Sequence, residues 1–154
     1  MKSLRTIVLE RISKEFTFPG DPESMVAARQ AVMDFIQPHF SEELDEVSVL
    51  LALQEALVNA VLHGCHNDPS KTVHCSVESD PGALTIIIRD PGPGFDVDAA
   101  IQSNRAGANM TEHGRGIVLM RSLMDEVVYS NGGSELQLRK LRAAVEHGVA
   151  RAGT

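Results

Sequence analysis

Glu55 and Asn59 stand four residues apart in an apolar stretch, and two glycine clusters follow: Asp90-Pro-Gly-Pro-Gly-Phe95 and Gly114-Arg-Gly116. On a helix that spacing puts the carboxylate and the amide on one face. The carboxylate can act as base toward a hydroxyl within hydrogen-bond reach. The amide oxygen is a hard ligand suited to magnesium, which keeps waters and binds substrate phosphates. Asp90 directly follows the apolar run Ile86-Ile-Ile88, where a strand-end carboxylate can accept from an exocyclic amine such as adenine's. Gly92 and Gly94 permit backbone geometry closed to other residues and clear space for a flat base. Gly114 and Gly116 precede an apolar helix beginning at Ile117, and N–H groups at a helix start attract phosphate. Together these residues describe a site for ATP with no Walker-type lysine loop.

Each feature also has a plainer reading. Glu55 and Asn59 could be a solvated pair at i,i+4, Asp90-Pro-Gly an ordinary turn, and Gly114-Arg-Gly116 a loop-to-helix junction. Ser134 and Lys140, in the last strand region, could reach a phosphate or lie on a surface strand. His63, Cys65, His66, His74 and Cys75 match no finger or knuckle spacing, and adjacent His74 and Cys75 project to opposite faces of a strand. Neither thiol has the context of a nucleophile.

The elements that must position these groups are legible. Residues 4–12 alternate with β-branched side chains and predict a strand, which 14–18 continue. Asp21 before Pro22 reads as a helix cap, Met25, Ala28, Val32, Phe35 and Ile36 keep helical spacing, and Pro38 ends the helix. Ser41 reads as the cap of a second helix, which carries Glu55 and Asn59 and stops at Gly64. Strands are predicted over 72–78 and 83–89, joined by a hairpin at 79–82, with 86–88 central. The small, polar stretch 96–110 is a candidate lid, and 117–124 a short helix opened by the glycine pair. Strands 126–130 and 135–141 flank the tight turn Asn131-Gly-Gly133, and the tail 142–154 is weakly structured.

The chain has 154 residues, 43% hydrophobic and 23% charged, which predicts one globular domain. Its net charge of −7, without a Lys/Arg cluster, argues against nucleic acid. No apolar run reads as long enough to span a bilayer, and the first ten residues do not read as a signal peptide. Two cysteines in a domain this size fit a reducing, cytoplasmic setting. The elements mix in an α+β order, with helices on one face of a mixed sheet.

The order of the motifs, from Glu55-Ala-Leu-Val-Asn59 with His63-Gly64, through Asp90 to Phe95, to Gly114-Arg-Gly-Ile-Val-Leu-Met120, resembles the GHKL ATPase superfamily. It is most similar to the bacterial anti-sigma factor serine/threonine kinases. Phe18-Pro-Gly-Asp-Pro-Glu23, Leu123-Met-Asp-Glu-Val127 and the run from Gly132 to Lys140 share that style, so the resemblance covers about 18–141. It implies a two-layer α/β sandwich of the Bergerat type, with a left-handed βαβ unit, a mixed but mostly antiparallel sheet, and helices on one face. It implies ATP and Mg2+, with Glu55 as catalytic base, Asn59 as magnesium ligand, and Asp90 reading adenine between Gly92 and Gly94. Gly114, Arg115, Gly116 and the following Ile117 match the lid hinge, and Ser134 replaces a common threonine. It also implies a STAS-type anti-anti-sigma substrate, a sigma factor partner and a homodimer. Where some relatives carry an arginine just before Gly114, this chain has Glu112, a negative charge near the expected phosphates.

Two rivals stand beside the kinase. One is a histidine-kinase-like ATP domain, which calls for a dimerising phospho-acceptor helix pair that the sequence does not offer. The other is a regulatory module that binds ATP and sequesters a partner without phosphorylating it, for which Glu55 would be superfluous.

Overall fold

The computed structural model of the chain describes residues 11–40, 45–105 and 112–142. Five strands, β1 (Ile12–Pro19), β2 (Thr72–Ser79), β3 (Ala83–Arg89), β4 (Glu126–Ser130) and β5 (Glu135–Leu141), form one sheet in the order β1-β2-β3-β5-β4. Every pairing is antiparallel, so the mixed pairing expected from the sequence is absent among the described residues; β3 and β4, each antiparallel to the β5 between them, run parallel to one another with helical chain connecting them, a βαβ order as expected. The expected strand over 4–12 lies almost wholly outside them. β3 is central, as its apolar run requires.

Four helices accompany the sheet: α1 (Pro22–Ile36), α2 (Glu46–Asn59), α3 (Val97–Arg105) and α4 (Glu112–Leu123). Asp21 caps α1 as predicted, its carboxylate accepting from Ser24 N–H at 2.9 Å, with Pro22 in the first turn. Ser41 lies outside the described residues; the cap of α2 is Asp45, which accepts from Ser48 N–H at 3.1 Å. Hydrogen bonds from the Ser24 N–H and hydroxyl hold the Asp21 carboxyl below the usual range, and the Ser48 hydroxyl and then its N–H do the same for Asp45.

The core lies between the helices and one sheet face. Phe18, Val73, Cys75, Val77, Leu84, Ile86, Ile88, Leu136 and Leu138 meet Met25, Val32 and Ile36 of α1, Val49, Leu53 and Leu57 of α2, and Met120 of α4. The other face carries exposed or part-exposed polar positions, including the ion pair Arg139–Glu126 at 3.2 Å. Against the sequence expectation, the continuous helical stretch Glu46–Gly64 is long and apolar enough to cross a membrane by length and composition. Half of it is buried, as expected of the helix that fills this core. Truncating fully buried Leu53 would cost about 2–5 kcal/mol, so this helix is a rigid platform for what it carries.

Two segments depart from the expected pattern. The stretch 96–110 holds α3 rather than an irregular lid, started by Asp96, whose carboxylate accepts from Ala99 N–H at 2.9 Å; residues 106–111 lie outside the described ones. The second glycine cluster does not precede a helix but lies inside α4, which begins at Glu112. Interior glycines weaken a helix by about 1 kcal/mol each relative to alanine, and the packing of α4 supplies the reason.

Candidate active site

α2 presents Glu55 and Asn59 on one face, as their spacing demands. Asn59 ends the regular helix, and Ala60–Gly64 continue as a wider π-turn, a distortion frequent at functional sites. α4 crosses directly over the pair. A methyl group at Gly116 would lie 2.6 Å from Glu55 Oε1 and 3.2 Å from Asn59 Nδ2. A side chain at 116 would therefore push the Glu55 carboxylate aside, and Ile117 beside Gly116 is fully buried. Gly114 is buried and Arg115 exposed.

Beside this contact is a cleft lined by Ala56, Asn59 and His63 of the helix, Ile88 and Asp90 of β3 and the turn after it, and Tyr129, Ser134 and Leu136 of the last hairpin. The topology explains the assembly. β3 and β5 are antiparallel neighbours with Arg89 opposite Glu135, so the turn after β3 meets the turn before β5. Asp90 N–H donates to Ser134 O at 3.1 Å and Phe95 N–H to Gly132 O at 2.9 Å. Gly94 has φ +79°, and a side chain on it would strike Gly132 O at 2.1 Å; Gly133, with φ +104°, would strike Phe95 N at 2.7 Å. The two turns interlock through backbone.

Asp90 sits half-buried in this cleft, and burial raises its pKa against the lowering effect of Gly92 N–H, which donates to Oδ1 at 2.8 Å. Gly64 packs against the carboxylate so closely that a methyl group there would lie 2.2 Å from Asp90 Cγ. Burial also pushes the Tyr129 phenol up to about 12, and the nearby Asn59 amide opposes the shift. Phe95 meets the Tyr129 ring edge-on, with centroids 5.2 Å apart.

The structure thus brings Asn59, Asp90, Gly94 and Ser134 to one cleft, with Gly92 holding Asp90 and Glu55 adjoining under Gly116. Ser134 lines it, but its hydroxyl donates to Asn131 O at 3.0 Å. Lys140 does not join: its Nζ donates to Leu123 O at 2.6 Å, capping the end of α4. The histidines and cysteines do not converge; among the described residues no group of three acidic, His or Cys side chains is placed to hold a metal. Cys75 is buried and His74 exposed, as alternation required. Sequence reasoning missed Gly64, Phe95, Tyr129 and Gly133 as parts of the site. The signal for Tyr129 was present, since alternation along β4 turns Val127 and Tyr129 to the same face.

The cleft fits a nucleotide. Apolar Ala56, Ala60, Ile88 and Leu136 face a half-buried carboxylate, and the absence of side chains at Gly64, Gly92 and Gly94 lets the backbone close tightly around it. Asn59 and Glu55 offer hard oxygen donors but no closed cage, which suits a magnesium ion completed by water and phosphate.

Residues 18–140 match the family model described as a histidine kinase-like ATPase domain. The chain is 32% identical over 130 residues to the anti-sigma F factor of Geobacillus stearothermophilus, covering 80% of this chain and 88% of that protein. It is 31% identical over 148 residues to the serine-protein kinase RsbW of Bacillus velezensis, covering 88% of this chain and 90% of that one. The fold is similar to that in a crystal structure of the RsbU and RsbW domains of Rv1364c from Mycobacterium tuberculosis, with a TM-score of 0.55 at 15% identity. That match covers 85% of this chain and 32% of the larger one.

Proposed function

The chain belongs to the histidine kinase-like ATPase domain family, and on that premise we propose that it is an anti-sigma factor serine/threonine protein kinase. In this reading it binds ATP with magnesium, phosphorylates a STAS-type anti-anti-sigma protein, and sequesters a sigma factor by partner switching. Relatives named anti-sigma F factor and serine-protein kinase support the reading. The observation that carries it is the Glu55–Asn59 face of α2, set at the border of a cleft whose polar anchor is Asp90.

Magnesium-ATP would supply the phosphoryl group with its charge partly neutralised, so the protein's part is mostly positioning and electrostatics. Asp90 accepts a hydrogen bond from the exocyclic amine of the base, and Gly92 and Gly94 shape the turn that borders the base. Asn59 offers its amide oxygen to the metal. Glu55 takes the proton from the acceptor hydroxyl as its oxygen bonds to the γ-phosphorus of ATP and the bond from that phosphorus to the β–γ bridging oxygen breaks, with ADP as the leaving group. Gly114, Arg115 and Gly116 lie where a lid would hinge, and because Gly116 covers Glu55, the acceptor must enter past α4. Unphosphorylated antagonist would release the sigma factor; phosphorylated antagonist would let the kinase capture it. The proposal includes a cytoplasmic homodimer.

Glu55→Ala tests it. Calorimetric affinity for magnesium-ATP should stay within about threefold while phosphate transfer to a STAS protein falls at least about 100-fold, the usual scale for general base catalysis. Transfer at the wild-type rate removes Glu55 from the chemistry. Binding without transfer in the wild-type protein would favour the module that sequesters a partner without modifying it.

A further inference from the structure

Two buried polar atoms in the cleft lack hydrogen-bond partners: Asn59 Nδ2 and Tyr129 Oη. They belong to neighbouring side chains that line the same cleft. Asn59 reaches the cleft from α2 and Tyr129 from β4, and no formed hydrogen bond joins them. A buried N–H left unpaired costs the full desolvation of that group, so such a pair stands open for a reason.

We propose that Tyr129 is a positioning residue for the cation ligand: its hydroxyl takes the Asn59 amide N–H and thereby commits the Asn59 oxygen to the magnesium ion of bound nucleotide. The inference rests on the nucleotide reading of the site given above and adds to it a residue from a different element.

The chemistry of the amide carries the argument. A primary amide has one acceptor end and one donor end. A cation can use only the oxygen, and once that end is engaged the NH2 must find an acceptor. A phenol oxygen accepts, and the Tyr129 hydroxyl can accept there and still donate its own hydrogen. Ligands of metals are commonly fixed by such outer partners, whose loss weakens metal binding by roughly 10–100-fold. The placement of Tyr129 is itself fixed. It lies opposite Leu136 in the β4–β5 ladder, and its ring is held edge-on by Phe95 at an interplanar angle of 85°. Phe95 in turn is anchored by its N–H to Gly132 O. Asn59, at the junction of α2 with the π-turn, is the mobile member of the pair only through its side chain.

The test is calorimetric titration of the full chain with ATP, once with excess magnesium and once with a chelator. The variants are Tyr129→Phe, Asn59→Ser and the double variant. Tyr129→Phe keeps the ring and its stacking on Phe95 and removes only the hydroxyl. We expect it to lower affinity for magnesium-ATP about 10-fold, the low end for loss of such an outer partner, with less than about twofold change in the chelated titration. In the Asn59→Ser background the same substitution should change nothing further, because Tyr129 acts through Asn59. Equal losses with and without magnesium, an additive loss in the double variant, or no loss at all would each overturn the proposal. Wild-type protein that binds ATP with a magnesium requirement while Tyr129→Phe matches it refutes this inference alone. Wild-type protein that binds no ATP refutes the nucleotide reading, and this inference with it.

Discussion

Gly64→Ala puts a single methyl group against the proposed base-reading carboxylate. The added carbon would lie 2.2 Å from Asp90 Cγ and 2.4 and 2.6 Å from its two oxygens, where ordinary contact begins near 3.4 Å. The carboxylate must therefore withdraw by about 1 Å. Its backbone cannot follow freely, because Asp90 N–H is held by Ser134 O and its Oδ1 takes Gly92 N–H. What yields is the side chain, and with it the hydrogen bond to adenine. A bond to a charged acceptor is worth about 1.5–3 kcal/mol, so ATP affinity should fall about 10-fold to 150-fold. Stability should change little. Gly64 is not among the glycines with positive φ, so alanine is conformationally acceptable there and gains about 0.4–1 kcal/mol from the unfolded state. That gain offsets the local strain, and the melting temperature should stay within about 4 °C of wild type. The assay is ATP calorimetry paired with a thermal melt, with Gly82→Ala as control, since its methyl would meet only Asp80 Oδ1 at 3.5 Å. Unchanged affinity in a folded variant would refute Asp90 as a nucleotide contact. Loss of the fold would refute the claim that the side chain absorbs the clash.

Three further outcomes follow from the same geometry. Burial raises the Asp90 pKa, so the folded state holds that proton more tightly than the unfolded chain does; the contribution to stability is present at low pH and lost as pH rises through the folded value. Asp90→Asn should therefore melt higher than wild type at about pH 7.5 and lose that advantage near about pH 4, while binding ATP more weakly; a lower melting temperature at neutral pH contradicts this. Gly116→Ala would place a methyl 2.6 Å from Glu55 Oε1, and displacing the base by about 1 Å should slow single-turnover phosphate transfer about 100-fold, with stability equal or up to about 1 kcal/mol higher; an unchanged transfer rate refutes it. Cys65 and Cys75 are buried, with both thiols raised by burial and Cys75 pushed up to about 12, so neither should alkylate at about pH 8 until the protein is unfolded, as mass spectrometry would show.

Local signals placed most of the elements because they are local in cause. Asp21 with Pro22 started α1, and the turns at 79–82 and 131–133 bounded their strands closely. The failures share another cause. Gly114 and Gly116 read as punctuation before a helix, but helix continuity won, and Gly116 answers to Glu55, sixty-one residues away in sequence. Gly64 does end its helical stretch, as read, but its second role, close packing on Asp90, comes from a residue distant in sequence. α3 was missed because a short polar segment carries little periodicity, although Asp96 is a regular cap. The residue types of Glu55, Asn59 and Asp90 were legible from chemistry and motif order. The walls were not, because Phe95, Tyr129 and Gly133 acquire their roles only when β3 and β5 lie side by side.

The polar strain of the molecule also has a location. The core proper is apolar, and the buried Arg142 is anchored by the Asp80 carbonyl and the Ser79 hydroxyl, with only its Nη1 unpaired. At the cleft, by contrast, a carboxylate is desolvated at Asp90, an amide N–H is unpaired at Asn59, and a phenol is unpaired at Tyr129. Each costs folding free energy that a valine or leucine at the same position would not. They come from three elements, α2, the turn after β3, and β4, so no local feature of the chain accounts for their meeting. A fold tolerates such a concentration where a ligand completes it. Asp90 lacks a donor and the Asn59 N–H an acceptor, and the proposed nucleotide with its metal, together with the proposed role of Tyr129, would supply both and engage the Asn59 oxygen.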